Sequence, residues 1–346
     1  MTTVLYGVSP IGFGHASRSA AVGLKLKEMS LEPEFATGGP AARFLASYGF
    51  KVHDVVTEPI PSESGGEMKM AALWYLRYWL GYRSTRKRMA ALLDRLSPEL
   101  VVGDEEFTSV SLALERGVRH AMISDELELG FARGAVARRV EARVGAWYSD
   151  LQGRVSDLIV PDFGKDHSNV HYVGPVVREV TKPREATMAQ YGLPSSSSLV
   201  LFSASGSGIG RFLLRRSLEA FSNVCTGSEV FVTVGLGEAS PGAGRVRELG
   251  TVRDNQDLVA AADLVISTAG KSTIDEAVSS GTPIIAIPVK NHAEQERNAS
   301  ELGFAPGDID RLEELMPKML GKRGVPARYP GALRTAERLA SALSRG

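Results

Sequence analysis

Short apolar runs alternate with helical patterns along the whole chain, and the alternation has a constant order. Val4–Val8 reads as a strand, and Ala16–Met29 as a helix after a glycine-rich turn. Pro33–Thr37 is a second strand, closed by Gly38-Gly39-Pro40 before a helix near Ala41–Tyr48, and Lys51–Val56 is a third. Leu100–Gly103, a helix near Val110–Arg116, the strands Arg119–Ser124 and Leu158–Val160, and an irregular Pro161–His171 follow. After Tyr172-Val173-Gly174-Pro175, the stretch Arg178–Arg184 reads as a linker. The second half repeats the scheme. Its strands are Leu199–Ala204, Glu229–Val234, Leu264–Ser267 and Pro283–Pro288. Its helices are Leu258–Ala262, Thr273–Ser279 and Ala293–Leu302, with Arg245–Gly250 as a connecting element. Strand–helix alternation with short turns predicts parallel sheets covered on both faces. The expected fold class is α/β, in two halves.

Composition adds three exclusions. With 40 basic and 40 acidic residues among 346, no global field favours nucleic acid or a membrane. A single cysteine, Cys225, rules out an internal disulfide and any multi-cysteine metal site, and points to an intracellular location. The most apolar long stretch, Leu73–Leu80, is interrupted by Arg77 and is too short to span a bilayer.

Two segments carry the candidate chemistry. The first is Gly12-Phe13-Gly14-His15, between the first strand and first helix, where glycines let the backbone approach a ligand at a helix start. A nicotinamide-binding fingerprint fits poorly, because Ser17 stands at the third glycine position and Thr37-Gly38-Gly39 lacks a ribose-binding acid. The loop presents His15, with Arg18 one turn on. An imidazole there suits proton abstraction near neutral pH; it equally suits a helix cap.

The second is Asp263–Glu276, a buried strand, a small-residue turn at Thr268-Ala269-Gly270, and a helix opening on Ser272 and Thr273. Such a turn offers backbone N–H groups and hydroxyls to a diphosphate, and Glu276 can accept from ribose hydroxyls. The plainer alternative is an N-cap by Ser272 or Thr273 with Glu276 on a solvent face.

Ser267, Gly270, Ser272, Thr273 and Glu276, followed by Gly281, Pro283, Pro288, Gln295, Asn298 and Ala299, resemble the C-terminal domain of MurG-like and UDP-glycosyltransferase enzymes of the GT-B group. The resemblance implies a GT-B fold: two Rossmann-like αβα domains facing each other across a cleft. Residues 1–176 would bind the acceptor and 177–328 the nucleotide sugar, with a helix in 329–346 returning to the first domain. It implies donor contacts from Ser205, Gly206, Val252, Arg253, Gly270, Ser272, Thr273, Glu276, Glu294 and Gln295. His15 would be the general base, in a loop with Gly12, Gly14 and Arg18. The Gly-Phe-Gly-His-Ala-Ser-Arg loop is closer to archaeal and bacterial G-x-G-H-x-x-R relatives than to the peptidoglycan enzyme. The activity implied is inverting transfer from a UDP-sugar to an acceptor hydroxyl, with no metal and no cofactor beyond the donor, and no nucleic-acid partner. A nucleotide-sugar epimerase on the same fold, or a non-catalytic nucleotide-sugar or lipid-headgroup binder, is the alternative.

Carboxylates at strand ends, Asp104, Glu105, Glu106, Asp125 and Glu126, are candidates to act as base or to orient His15, or else to cap helices. Lys69–Arg88 holds six cations and five aromatics with no Asp or Glu, a combination suited to an anionic membrane surface or lipid headgroup, with stacking of single-stranded nucleic acid as the other functional option. An ordinary helix with one buried aromatic stripe has the same composition. Phe131–Tyr148 is a second, weaker basic helix. The resulting expectation is a cytoplasmic protein, peripheral at the membrane face.

Overall fold

The computed structural model describes residues 3–59, 62–64, 67–69, 71–124, 135–203, 210–235 and 244–344. The chain divides into two compact units. One comprises Met1–Pro61, Met70–Val177 and Tyr329–Gly346, and the other Ser62–Lys69 with Arg178–Arg328.

The first unit opens with β1 (Thr3–Val8), α1 (Gly14–Glu28), β2 (Glu32–Thr37), α2 (Gly39–Ala46) and β3 (Lys51–Asp54). A small antiparallel pair, β4 (Ser62–Ser64) and β5 (Glu67–Lys69), comes next in the chain. Then come α3 (Ala71–Leu96), β6 (Leu100–Asp104), α4 (Phe107–Glu115), β7 (Arg119–Ile123), α5 (Ala135–Arg154), β8 (Leu158–Val160) and β9 (Val170–Tyr172). Seven strands form one parallel sheet in the order β3-β2-β1-β6-β7-β8-β9.

The second unit runs α6 (Arg184–Gln190), β10 (Leu199–Ser203), α7 (Arg211–Val224), β11 (Val230–Val234), β12 (Val246–Glu248), α8 (Asn255–Ala261), β13 (Leu264–Ser267), α9 (Lys271–Ser279), β14 (Ile284–Ala286), α10 (Ala293–Glu301) and α11 (Leu312–Met319). Its parallel sheet has the order β12-β11-β10-β13-β14. The chain ends in α12 (Gly331–Ser344), whose Ala332, Ala336 and Leu339 join the core of the first unit with Ala16, Ala20 and Val102. Arg119 Nη1 donates to the Leu343 carbonyl, fixing the far end of α12 to β7 (2.8 Å).

Central strands are buried along their full length, as parallel strands covered on both faces must be. Both sheets reverse direction beside their first strand, between β1 and β6 and between β10 and β13. Crevices at such switch points, outside the C-terminal strand ends, are where open α/β sheets bind ligands.

Four local readings change. Val170–Tyr172 is a strand although Pro161–His171 reads as irregular, and Val246–Glu248 is an edge strand rather than a connector. Both are three residues long and carry polar side chains, so their pairing comes from the neighbouring strand. Arg178–Arg184 is no free linker. Thr181 donates through N and Oγ1 to Asp257 at 2.7 Å each, and α6 begins at Arg184. α4 starts three residues before the Val110 expected, because Glu106 caps it, accepting from Thr108 and Ser109 N–H at 2.9 Å each.

Candidate functional site

At the switch point of the first sheet, Val8 of β1 lies in register with Asp104, the last residue of β6. The backbone leaves β1 through Ser9 and turns at Gly12, whose φ of +70° is the left-handed conformation glycine adopts without strain. α1 then begins at Gly14 and carries His15, Arg18 and Ser19 to Asp104. Arg18 grips that carboxylate from two nitrogens, Nη2 to Oδ1 at 2.5 Å and Nε to Oδ2 at 3.1 Å, and Ser19 Oγ donates to Oδ2 at 2.8 Å. His15 Nδ1 lies 3.3 Å from Oδ1. Nδ1 also lies 3.2 Å from Arg18 Nη2, and since a carboxylate only accepts and a guanidinium only donates, a proton on Nδ1 satisfies the Asp104 contact alone and leaves Nε2 as the basic nitrogen.

Burial opposes ionisation of Asp104, but the Arg18 charge and the hydrogen bonds from His15 and Arg18 outweigh it and hold its carboxyl at about 2. Burial likewise opposes a charged His15. The hydrogen bond and charge of Asp104, with the charge of Glu105, overcome that and the repulsion of Arg18, so its pKa lies above the ordinary histidine value. His15 remains 31% exposed while Asp104 is sealed. This is an oriented imidazole backed by a permanent anion.

The sequence points to four further carboxylates here, with different outcomes. Glu106 is a helix cap. Glu105 adopts φ +49°, a strained conformation for a non-glycine residue, and accepts from Ser124 Oγ at 2.5 Å. Asp125 and Glu126 lie outside the described residues. Glu58, which sequence reasoning missed, accepts from Ser9 Oγ at 2.8 Å. Burial, reinforced by the charges of Glu106 and Glu105, pushes its carboxyl up to about 8 despite the Ser9 hydrogen bond and His15. No local pattern marks Glu58; it follows β3 in an unremarkable Val-Thr-Glu-Pro.

At the corresponding point of the second sheet, Ser203 ends β10 in register with Ser267, the end of β13. Ala269 turns the chain at φ +60°, Gly270 is the N-cap, and α9 starts at Lys271 with no side-chain cap. Ser272 and Thr273 therefore lie in the first turn and are not the cap. Glu276 is buried, not on a solvent face. Its Oε1 accepts from Arg178 Nε at 3.0 Å and Nη2 at 2.9 Å. Arg178 Nη1 also donates to the Arg253 carbonyl at 2.6 Å, tying the Val252–Arg253 segment to Glu276. The sequence reading placed Arg178 in a linker; the pair is its clearest omission.

Gln295 is buried, and its Oε1 accepts from Val289 N–H at 3.0 Å, so that oxygen is already engaged. Asn298 Nδ2 donates to the Ala269 carbonyl at 3.2 Å, bracing the turn before α9. Glu294 is half-buried beside them. His292 caps α10, and burial lowers its pKa. Ser205, Gly206 and the rest of that loop lie outside the described residues. Among the described residues no group of three His, Cys, Asp or Glu side chains is placed to hold a metal ion.

The basic segment forms the first part of α3. Trp79 and Leu80 are 53% and 55% exposed, and Trp147 on α5 is 39% exposed. Tyr82 meets Trp147 edge-on at 6.0 Å, and the Arg83 guanidinium lies 5.1 Å from the Trp79 ring. Arg77, Arg83, Arg138, Arg139 and Arg143 are exposed. Arg86 is not uncompensated as the sequence suggests: Glu115 of α4 accepts from it at 2.5 Å. The side chains of Trp74, Tyr75 and Tyr78 lie outside the described residues. No helix among those described is long and apolar enough to cross a membrane.

Residues 229–320 match the glycosyltransferase family 28 C-terminal domain. An uncharacterised glycosyltransferase of Methanopyrus kandleri is 25% identical over 320 residues, covering 87% of this chain and 90% of the relative. The UDP-N-acetylglucosamine–N-acetylmuramyl-(pentapeptide) pyrophosphoryl-undecaprenol N-acetylglucosamine transferase of a Nocardioides species is 26% identical over 318 residues, covering 86% and 81%. A UDP-glucosyltransferase from Polygonum tinctorium capable of glucosylating indoxyl superposes with a TM-score of 0.62 at 17% identity, over 100% of this chain and 99% of that one. That last likeness concerns the fold.

Proposed function

We propose, from the premise that this chain is a glycosyltransferase of GT-B fold carrying a family 28 C-terminal domain, that it transfers a sugar from a UDP-sugar to an acceptor hydroxyl with inversion and without a metal. The observation that carries the reading is the Arg18–Asp104–His15 arrangement. His15 Nε2 takes the proton of the acceptor hydroxyl as the oxygen attacks the anomeric carbon, and the nucleoside diphosphate departs with the bonding electrons. Asp104 keeps the imidazole in the required tautomer and stabilises the imidazolium that forms. In the second unit, the first turn of α9 receives the diphosphate, where the helix N-terminus offsets charge developing on the leaving group. Glu276, Glu294 and Gln295 face the donor's ribose and sugar hydroxyls.

The acceptor is carried at an anionic lipid surface. Exposed Trp79, Leu80 and Trp147 among exposed arginines support this, since aromatic rings seat at headgroup depth and each cation adds about 1 kcal/mol. The name of the Nocardioides relative, with its undecaprenol acceptor, points the same way.

Thermal shift and calorimetry with UDP, GDP, ADP and dTDP, and with the corresponding sugars, test the donor. UDP compounds should bind. Preferential binding of another nucleotide would overturn the base assignment, and binding of none would overturn the donor reading.

A further inference from the structure

The residue after Asp104 is also held by hydrogen bonds from outside its own strand. Glu105 leaves β6 at φ +49°, and a strained turn of this kind persists only where the surrounding contacts fix it. Its N–H donates to the Ile123 carbonyl at 3.1 Å, which keeps the backbone against β7. Its carboxylate accepts from Ser124 Oγ at 2.5 Å. Ser124, the residue after β7, is fully buried, and its hydroxyl also meets Tyr148 Oη of α5. Tyr148 is buried too, and Phe107 meets its ring edge-on with centroids 4.9 Å apart.

Proton count sets the direction of these bonds. A carboxylate has only acceptors and a hydroxyl has one proton, so Ser124 donates to Glu105 and Tyr148 donates to Ser124. The chain of donors therefore starts in the core of the first unit and ends at a half-buried carboxylate, one residue from Asp104. The charged and titratable groups that act on His15 are Arg18 on its own helix, Asp104 and Glu105 at the end of β6, and Glu58 beyond β3. Arg18 opposes a charge on the imidazole, whereas Asp104 and Glu105 favour it.

We propose that Tyr148, Ser124 and Glu105 form a second positioning arm of the crevice, in which the donor chain from α5 fixes the Glu105 carboxylate where its charge stabilises the imidazolium formed as His15 deprotonates the acceptor hydroxyl. Asp104 acts through a hydrogen bond and sets the tautomer. Glu105 acts through space, so its effect depends on where its carboxylate is held. On a side chain free to turn into water, the same charge would be screened, and the Ser124 bond prevents that. The proposal rests on the reading of His15 as the base. It gives Glu105 a defined role and adds Ser124 and Tyr148, which the sequence pattern does not single out.

The test follows the Cε1–H resonance of His15 through a pH titration of the full chain carrying carbon-13 histidine. The chain has six histidines, and the signal missing from His15→Ala identifies the one to follow. Glu105→Gln keeps an acceptor for Ser124 but removes the charge, and His15 should then titrate about 0.5 pH unit lower than in wild type. Ser124→Ala and Tyr148→Phe should lower it in the same direction by less. Tyr148→Phe keeps the ring packed on Phe107, which separates the hydroxyl from the packing. In a Glu105→Gln background neither should lower it further, because both act through that carboxylate. The acid limb of turnover should move to lower pH with the resonance. Unchanged titration of His15 in Glu105→Gln would overturn the arm while leaving the base reading intact. Effects of Ser124→Ala or Tyr148→Phe that persist in the Glu105→Gln background would overturn it too. Near-normal turnover in His15→Ala would instead overturn the base reading, and with it the catalytic purpose of the arm, whatever the titrations show.

Discussion

Arg178 and Glu276 are 98 positions apart in sequence and form a buried ion pair, with two guanidinium nitrogens on one carboxylate oxygen at 3.0 and 2.9 Å. The side chains are 5% and 4% exposed, so neither charge has water to fall back on. Removing one partner of such a pair leaves the other buried and uncompensated, at a cost of about 3–5 kcal/mol. Arg178→Ala should therefore lower the unfolding free energy of the second unit by that order, read as a lower urea midpoint. Arg178→Lys should recover only part, since one ammonium cannot bridge Glu276 and the Arg253 carbonyl as a fork does. An unchanged midpoint in Arg178→Ala would show that the pair adds nothing to stability.

The His15–Asp104 pair governs the expected pH–rate profile. Turnover should fall on the acid side as His15 protonates, with a limb above the ordinary histidine value because Asp104 favours the imidazolium. Asp104→Asn should move that limb to lower pH and cut turnover, and His15→Ala should cut turnover by about 10²–10⁴-fold with little change in UDP affinity. A His15→Ala enzyme with near-normal turnover would remove its role as base.

Asp104 also carries stability. Its folded pKa, about 2, is depressed from 3.8, so the stabilisation is complete above the unfolded value and drains away as pH falls from about 4 through 2. A shift of nearly two units corresponds to roughly 2–3 kcal/mol. Urea unfolding of wild type between pH 6 and 2 should show that loss, and Asp104→Asn should show a shallower one.

How much of this was legible beforehand depends on the range of the interaction. His15, Arg18 and the Ser267–Glu276 turn were readable because each sits within a few residues of the glycines and strand ends that position it. Parallel sheets covered on both faces followed from alternation alone, their Rossmann-like character was implied by the family resemblance, and the strand order came only with the structure. Arg178 and Glu58 were not readable, because their meaning comes from partners distant in sequence that the fold brings to them. Gln295 shows the converse. Its position was readable, but the engagement of its oxygen by Val289 N–H was not.

Glu58 should act on stability in the sense opposite to Asp104. Its folded pKa, about 8, is raised from 4.5, so its contribution is fullest below the unfolded value and declines as pH rises from 4.5 through 8. Glu58→Gln mimics the protonated form and should be more stable than wild type at pH 8, with a melting temperature higher by about 2–4 °C for each kcal/mol gained. The advantage should vanish at pH 4.5. Equal melting temperatures at both pH values would mean that Glu58 titrates normally.

The surface of α3 and α5 yields the last expectation, and the ion pairs decide which residues to change. Arg86 is neutralised by Glu115, so charge reversal there would disrupt the α3–α4 packing as well as any lipid contact. The exposed set Arg138, Arg139 and Arg143 avoids that ambiguity. Wild-type protein should co-sediment with vesicles containing anionic phosphatidylglycerol, less so as salt rises, because screening shortens the reach of surface charge to about 8 Å at 0.15 M. Arg138/Arg139→Glu should weaken that binding. Trp79→Ala and Trp147→Ala should weaken it too, but without changing its salt dependence, because the rings contribute burial and not charge. Neutral phosphatidylcholine vesicles should bind poorly. Absence of co-sedimentation with anionic vesicles at low salt would rule out membrane attachment and leave a soluble acceptor hydroxyl for His15 to deprotonate.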